Sequence, residues 1–171
     1  WDNSNASWVK DHLAVFDSSE KKALINYFLD LFQTEVEPHL STLRKSINYN
    51  DANDYNVLVN NDLANPQISG VIDFGDIVYT TTINEVAIAA AYALMGKEAP
   101  LDAACSIIQG FNSIFPITEK ECQVIFPLIA ARLMISVTVS AINQQANPDN
   151  RYLQISAKPV WTLLEKRQPF V

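Results

Sequence analysis

Glycine is scarce in this chain. Gly70, Gly75, Gly96 and Gly110 are the whole supply, and none stands close enough to another to build a glycine-rich loop around a phosphate. Cysteine is scarcer: Cys105 and Cys122 are too few for a disulfide framework. Their apolar, helical contexts predict free buried thiols in a reducing, cytoplasmic setting. Basic residues are outnumbered, 12 Lys and Arg against 19 Asp and Glu, which gives a net charge of -7 and a pI near 4.7. That balance argues against a nucleic-acid partner, which needs a basic face, and against attraction to an anionic membrane. The longest apolar stretch, Cys122 to Ile142, is interrupted by Gln123, Pro127, Arg132 and several hydroxyls. It reads as a buried helix and not as a membrane span. The opening Trp1-Asp2-Asn3-Ser4-Asn5 is polar and holds no Lys or Arg, unlike a signal peptide.

What remains is the composition of a soluble globular domain. At 171 residues, 49% hydrophobic and 18% charged, the chain is one domain with a core of its own. It begins with Trp and not Met, so it is expected to be a fragment of something longer. Helical spacing predicts a short helix over 7–16 and a second from Ser19, with Leu24, Phe28, Leu31, Phe32 and Val36 as one apolar stripe. Pro38 interrupts it, and one more turn is expected over 39–45. A short strand at 47–49 leads into a polar loop. The β-branched runs 57–59 and 68–72, separated by a turn-rich segment, predict a hairpin. Everything beyond is expected to be helical. Thr82 and Glu85 predict a capping box, with Gly96 past the helix end. Pro100 opens another helix, and Thr118 with Glu121 caps a long one to about 145 with a kink at Pro127. Asn150 caps a last helix, which Pro159 should bend or split. There is no internal repeat, low-complexity tract or linker.

The polar loop holds the chemistry. Asp51 stands five residues before Asn56, and a second acid follows in Ile72-Asp73-Phe74-Gly75-Asp76, at the end of an apolar strand. An acid, an amide five residues on and an acid at a strand end is the layout of a phosphoryl-transfer centre. In that reading Asp51 accepts a proton from a substrate hydroxyl, while Asn56 and Asp73 hold Mg²⁺ through hard oxygens. The structural alternatives are a loop-capping Asp and backbone bonding at strand ends. Asn53 and Asp54 either meet substrate or stabilise the loop. Asp76, after Gly75, either meets substrate or shapes a tight turn. A calcium loop is excluded, because Asn56 occupies the position that needs glycine and Asp62 the one that needs a bidentate Glu. Arg132, inside an apolar helix, must pair with Glu85 or a loop acid, or else contact substrate. His12 and His39 lack neighbours at zinc-ligand spacing. Tyr79, Tyr92, Tyr152 and Trp161 read as core or cleft wall.

These motifs resemble the aminoglycoside phosphotransferase family, the choline and homoserine kinase-like group that shares the protein-kinase-like fold. The family's His-Gly-Asp, four residues, then Asn, stands here as Tyr49-Asn50-Asp51, four residues, then Asn56. Its Ile-Asp-(Phe/Trp) segment stands as Ile72-Asp73-Phe74, and Glu85 also matches the family pattern. Tyr49 replaces the His that anchors the loop. The resemblance implies catalytic Asp51, metal ligands Asn56 and Asp73, Mg²⁺ as cofactor and ATP as co-substrate. It implies phosphorylation of a hydroxyl on a small molecule; the acidic charge suits an amine-bearing acceptor.

The expected fold is therefore α+β and mostly helical: a single domain over 1–171, with a β-hairpin carrying the catalytic and metal residues on five or six helices. It looks like the C-terminal lobe of a kinase-like phosphotransferase. The N-terminal lobe is absent, since no glycine-rich loop precedes Asp51 and no strand Lys can be assigned. The expected partners are the small-molecule substrate, that missing lobe or fused domains, and a second copy of the chain through the surface left open. The rival reading is a non-catalytic module of a larger polypeptide, of the kind fused to class III aminotransferases.

Overall fold

The computed structural model describes residues 2–62, 64–148 and 157–166. Asp2 accepts the Ser4 N–H at 3.0 Å and starts a helix of 3₁₀ type, Asn3–Val15, tighter than the α-helix expected there. Ser18 caps α1, Ser19–Glu35, by accepting the Lys21 N–H at 3.1 Å. The predicted stripe is buried through Leu24, Phe28, Phe32 and Val36, joined by Ile25 and Leu29, with Leu31 packed at its edge. Pro38 lies in a single 3₁₀ turn, Glu37–His39. The turn expected to reach Lys45 closes at Thr42, whose N–H donates to the His39 carbonyl at 2.9 Å.

Lys45 instead opens β1, Lys45–Asn48. β2, Val57–Val59, and β3, Ile68–Val71, pair antiparallel with Val57 opposite Val71, as the hairpin reading requires. A fourth strand follows, β4, Val78–Thr81, antiparallel to β1 with Lys45 opposite Thr81 and Asn48 opposite Val78. It corrects the expectation that only helices lie beyond the hairpin. Its Val, Tyr and Thr residues suit a half-buried strand. Thr80 and Thr81 are buried there, their hydroxyls bonded to Ser4 Oγ at 3.0 and 2.9 Å. The hairpin does not lie on the helices as expected. Leu58, Val59, Ile68 and Val71 are exposed, and so are Ile47 (76%) and Tyr79 (68%), which face each other across β1 and β4.

α2, Ile83–Ala93, starts without the predicted capping box. Thr82 has helical backbone and its hydroxyl bonds to that of Ser46 at 2.9 Å, while Glu85 reaches elsewhere. Gly96, with φ of +69°, reverses the chain after α2 as expected. α3, Pro100–Ile114, has proline in its first turn. α4, Glu119–Ala146, carries the predicted capping box: Thr118 N–H donates to Glu121 at 2.9 Å, and Glu121 N–H to Thr118 Oγ1 at 3.3 Å. The helix continues through Pro127.

α4 is the one described helix long and apolar enough to cross a membrane, but 67% of its most apolar window is buried inside the fold. There it packs against the N-terminal 3₁₀ helix, α1, α2 and α5 as the core helix. α5 is described over Ala157–Glu165 and holds Pro159; the start of the expected last helix lies outside the described residues. Asn150 and Tyr152 lie outside the described residues. Cys105 and Cys122 are free but exposed, which corrects their expected burial. α3 buries only Ala104 fully, and Cys122 falls between the inward-facing Glu121 and Val124 on the outer side of α4. The result is a mixed α+β fold, predominantly helical and consistent with a kinase-like architecture.

Candidate active site

Between β1 and β2 the chain turns through Asn50, whose φ is +69°. Left-handed backbone costs an ordinary L-residue about 1–2 kcal/mol, and Asn is among the few side chains that tolerate it. This is the position where the resembled motif has glycine. The Asn50 N–H donates to Glu85 Oε2 at 3.0 Å. Glu85 therefore braces the loop and does not cap its own helix. Burial pushes its carboxyl above the usual range, and the backbone N–H groups of Asn50 and Tyr49 offset part of that.

Asp51 follows, with 17% of its side chain exposed. Its carboxylate collects donors at both oxygens. Oδ1 accepts from Arg132 Nη2 at 3.2 Å and from the Tyr92 hydroxyl at 3.3 Å. Oδ2 accepts from Asn53 Nδ2 at 3.0 Å and from Asn56 Nδ2 at 2.8 Å. Burial raises the Asp51 carboxyl above its ordinary value, and the nearby charge of Asp76 adds to this. The Arg132 guanidinium opposes it, followed by the bonds from Asn53 and Tyr92. Arg132 thus pairs with an acid of the loop, one of the two structural partners expected for it.

Asn53 is committed to the loop at both ends, since its Oδ1 also accepts the N–H groups of Tyr55 at 2.8 Å and Asn56 at 3.1 Å. Asp54 is exposed in the same turn and Asp76 is half-buried. Asn56 is buried just before β2. Because a carboxylate only accepts, the bond to Asp51 fixes the Asn56 amide, with Nδ2 toward the acid and Oδ1 turned away from it. The Asn56 carbonyl also accepts the Ile72 N–H at 3.0 Å, which sets Asp73 beside Asn56 at the mouth of the hairpin. Asp73 has φ of +59° and is exposed, its Oδ1 accepting the Gly75 N–H at 3.3 Å. A Cβ on Gly75 would come within 3.3 Å of that carboxylate, so glycine permits the close turn.

Tyr49 joins the two halves. Its hydroxyl donates to the Ile72 carbonyl, and its ring meets Phe74 edge-on at 5.4 Å. It ties the loop before Asp51 to the segment that carries Asp73. Burial first, then the charges of Asp51 and Asp73, raise the Tyr49 hydroxyl above its ordinary value.

The candidate catalytic and metal residues therefore lie at the hairpin's mouth and in the loop before it, not on its strands. Among the described residues no group of three or more His, Cys, Asp and Glu converges as a metal cluster. The donor chemistry still fits Mg²⁺: the Asn56 amide oxygen, turned away from Asp51, and the exposed Asp73 carboxylate, on segments joined by the Ile72–Asn56 bond, are hard donors, and phosphate and water commonly supply the rest. The sequence reading missed Tyr92 as a site residue. Its signal was the i, i+7 spacing from Glu85, which puts both on one face of α2. The bond from Asn50 to Glu85 was missed because a capping box claimed the same carboxylate.

The sequence pattern of the phosphotransferase enzyme family matches residues 5–108. The chain is also 32% identical to hydroxylysine kinase of Mus musculus over 97% of its own length. It is 31% identical to that of Xenopus laevis over 96%, and 30% to that of Bos taurus over 97%. In each case it spans 46% of the relative, about half the length of the curated proteins it matches. No solved structure gives a significant match. The matched family range contains Asp51, Asn56, Asp73 and Glu85, the residues that the fold gathers at the hairpin's mouth, and on this ground the chain belongs to the phosphotransferase enzyme family, the aminoglycoside phosphotransferase-like kinases.

Proposed function

We propose that this chain is the catalytic lobe of a longer Mg²⁺- and ATP-dependent kinase that phosphorylates a hydroxyl of a small amine-bearing molecule. Hydroxylated amino acids of the hydroxylysine type are the leading acceptor class. One observation carries this reading: the Asn56 side-chain amide holds the Asp51 carboxylate, while its backbone carbonyl takes the N–H of Ile72, the residue before Asp73. A proton acceptor and a pair of hard ligands thus share one small surface. Family membership implies nucleotide- and magnesium-dependent catalysis in general, and the relatives named hydroxylysine kinase support the acceptor class.

Asp51 orients the acceptor hydroxyl and takes its proton as the new O–P bond forms. Asn56 and Asp73 would hold magnesium, which when bound offsets phosphate charge as phosphoryl is transferred. Asn50, Glu85 and Tyr49 keep the loop and the Asp73 turn in fixed relation. The acids around Asp51 favour an ammonium group on the acceptor. That the chain spans 46% of its relatives, and has no glycine-rich loop, supports a second lobe supplied by the remainder of the polypeptide.

The test uses the full-length polypeptide that carries this chain, with Mg-ATP and a panel of hydroxylysine, homoserine, ethanolamine, choline and an aminoglycoside. Transfer to hydroxylysine, lost when its amines are acetylated, is the expected result. Absence of acceptor-dependent ATP consumption across the panel would overturn the reading in favour of a non-catalytic module, such as one fused to an aminotransferase.

A further inference from the structure

Asp51 draws its four donors from two different sources. Asn53 and Asn56 belong to its own loop and bind Oδ2. They fix the carboxylate relative to the loop but not relative to the fold. Tyr92 and Arg132 come from α2 and α4, 41 and 81 positions away, and bind Oδ1. The terminal torsion of an Asp side chain is intrinsically broad, so its direction must be imposed from outside. Arg132 also donates to the Tyr92 hydroxyl at 2.7 Å, and its guanidinium lies over the Tyr92 ring at 5.3 Å. The two form one unit that hands a single hydroxyl proton and a single guanidinium edge to Oδ1.

Arg132 is 2% exposed and stands among buried Leu128, Ile129, Leu133 and Ile135 on the core helix. A packed apolar side chain is often as stable as a buried ion pair, so the fold alone does not call for arginine here. Nor can a side chain so enclosed touch the substrate. Its action must pass through Asp51.

We infer that Tyr92 and Arg132 are positioning residues, a clamp from α2 and α4 that fixes the direction of the Asp51 carboxylate toward the acceptor hydroxyl. The inference rests on the assignment of Asp51 as proton acceptor. Tyr92→Phe removes one hydroxyl and leaves the ring. Arg132→Met removes the charge and keeps most of the volume, and Arg132→Lys restores a cation.

In the full-length polypeptide, Arg132→Met should lower kcat about 10–100-fold, as misplacement of a reacting group does, with KM for Mg-ATP held within about 2-fold. Arg132→Lys should recover part of the loss. Tyr92→Phe should lower kcat less, and should have no further effect on an Asp51→Asn background, because a residue acting through Asp51 has nothing left to position. Amide exchange supplies a readout that needs no activity. The N–H groups of Asn53, Asn56 and Val57, which bond within the loop, should exchange faster in Tyr92→Phe and Arg132→Met, while those of α4 keep their protection.

Unchanged loop exchange, or losses fully additive with Asp51→Asn, would overturn the clamp. Faster loop exchange together with an active Asp51→Asn enzyme would uphold the clamp and refute Asp51 as base. Should Arg132→Met fail to fold, Tyr92→Phe decides by the same two readouts.

Discussion

The backbone N–H of Asn50 and the carboxylate of Glu85 meet at 3.0 Å across 35 positions of sequence. That bond takes Glu85 away from the α2 N-terminus and gives the Asp51 loop its shape. With Asn50 held in the left-handed region, the chain reverses between β1 and Asp51, and Asp51 arrives below Tyr92 and Arg132.

Substitutions at Asn50 should follow backbone conformation and not size. Asn50 is buried, and its Oδ1 has no hydrogen-bond partner among the described residues. Asn50→Gly keeps the positive φ and removes that atom, so its stability should stay within about 1 kcal/mol of the parent. Asn50→Ala should lose about 1–2 kcal/mol, the cost of left-handed backbone for a β-carbon. Urea midpoints compare the two, and an Ala variant as stable as the Gly variant would refute the strain argument.

Arg44 and Glu121 should make stability depend on pH. Arg44 grips the buried carboxylate with both arms, Nε to Oε1 at 2.9 Å and Nη2 to Oε2 at 2.5 Å. Burial alone would raise the Glu121 carboxyl; the bonds from Arg44 and Thr118 outweigh it and hold the group below its ordinary value. A depressed acid contributes stability above its unfolded value of 4.5 and loses it as pH falls through the folded value. Arg44→Met should therefore cost about 1–3 kcal/mol near neutrality, by leaving a buried acceptor poorly satisfied. The gap to the parent should narrow as pH falls below 4.5. A gap that holds constant into acid would mean that the pair is not its source.

Much of this was legible in the sequence, and what was not has identifiable physical causes. The stripe from Leu24 to Val36 announced α1, because helical periodicity survives in any packed context. The hairpin of Val57 and Val71 was equally plain, and so were the motif acids. β4 was hidden because four residues offer too short a run to separate strand from helix lead-in, and its partner β1 is remote in sequence. Glu85 misled because one carboxylate can serve either a helix terminus or a loop, and only the tertiary approach of Asn50 decides. Arg132 announced an unknown partner, since a buried cation demands one; that the partner is Asp51, with Tyr92 between them, depends on how α2 packs on α4. Cys105 and Cys122 defeated the composition argument, because apolar neighbours in sequence need not share a face.

The exposed face of the strands should promote self-association. Ile47, Tyr79 and Ile68 stand in solvent on sheets of two strands in which every strand is an edge, and Phe74 is exposed in the turn between β3 and β4. The isolated 171-residue chain should sediment as a concentration-dependent mixture. Ile47→Lys with Tyr79→Ser should return it to monomer. A parent chain that stays monomeric at high concentration would show that this face is not sticky.

The same isolated chain should bind nucleotide poorly. It carries two proposed hard ligands for a metal but no glycine-rich loop to wrap phosphates, so its Kd for Mg-ATP should be weaker than about 1 mM. Calorimetry measures this directly. Micromolar binding would mean that a complete nucleotide cradle lies within these residues and that no second lobe is needed.

The two motif acids should fail in different ways when neutralised in the full-length polypeptide. Asp51→Asn keeps the shape of the side chain but removes the proton acceptor. It also turns one acceptor oxygen into a donor that faces Arg132 and Tyr92 or Asn53 and Asn56, so the loop cannot restore the original pattern. Turnover should drop by about 10²–10⁴-fold with little change in nucleotide affinity. Asp73→Asn leaves those four bonds intact and removes a charge from the metal position. It should raise the Mg²⁺ concentration needed for half-maximal rate, and excess metal should recover part of the activity. Asp54→Asn, exposed in the same turn, and Asp76→Asn, half-buried nearby, should be milder than either. The contrast rests on Asn56, whose amide faces Asp51 with its nitrogen, so that on the proposed reading its oxygen is left for metal and one loop serves two roles. Near-normal transfer by Asp51→Asn to every acceptor tried would remove the base from that loop. Identical metal dependence in the Asp73→Asn enzyme and the parent would remove the ligand.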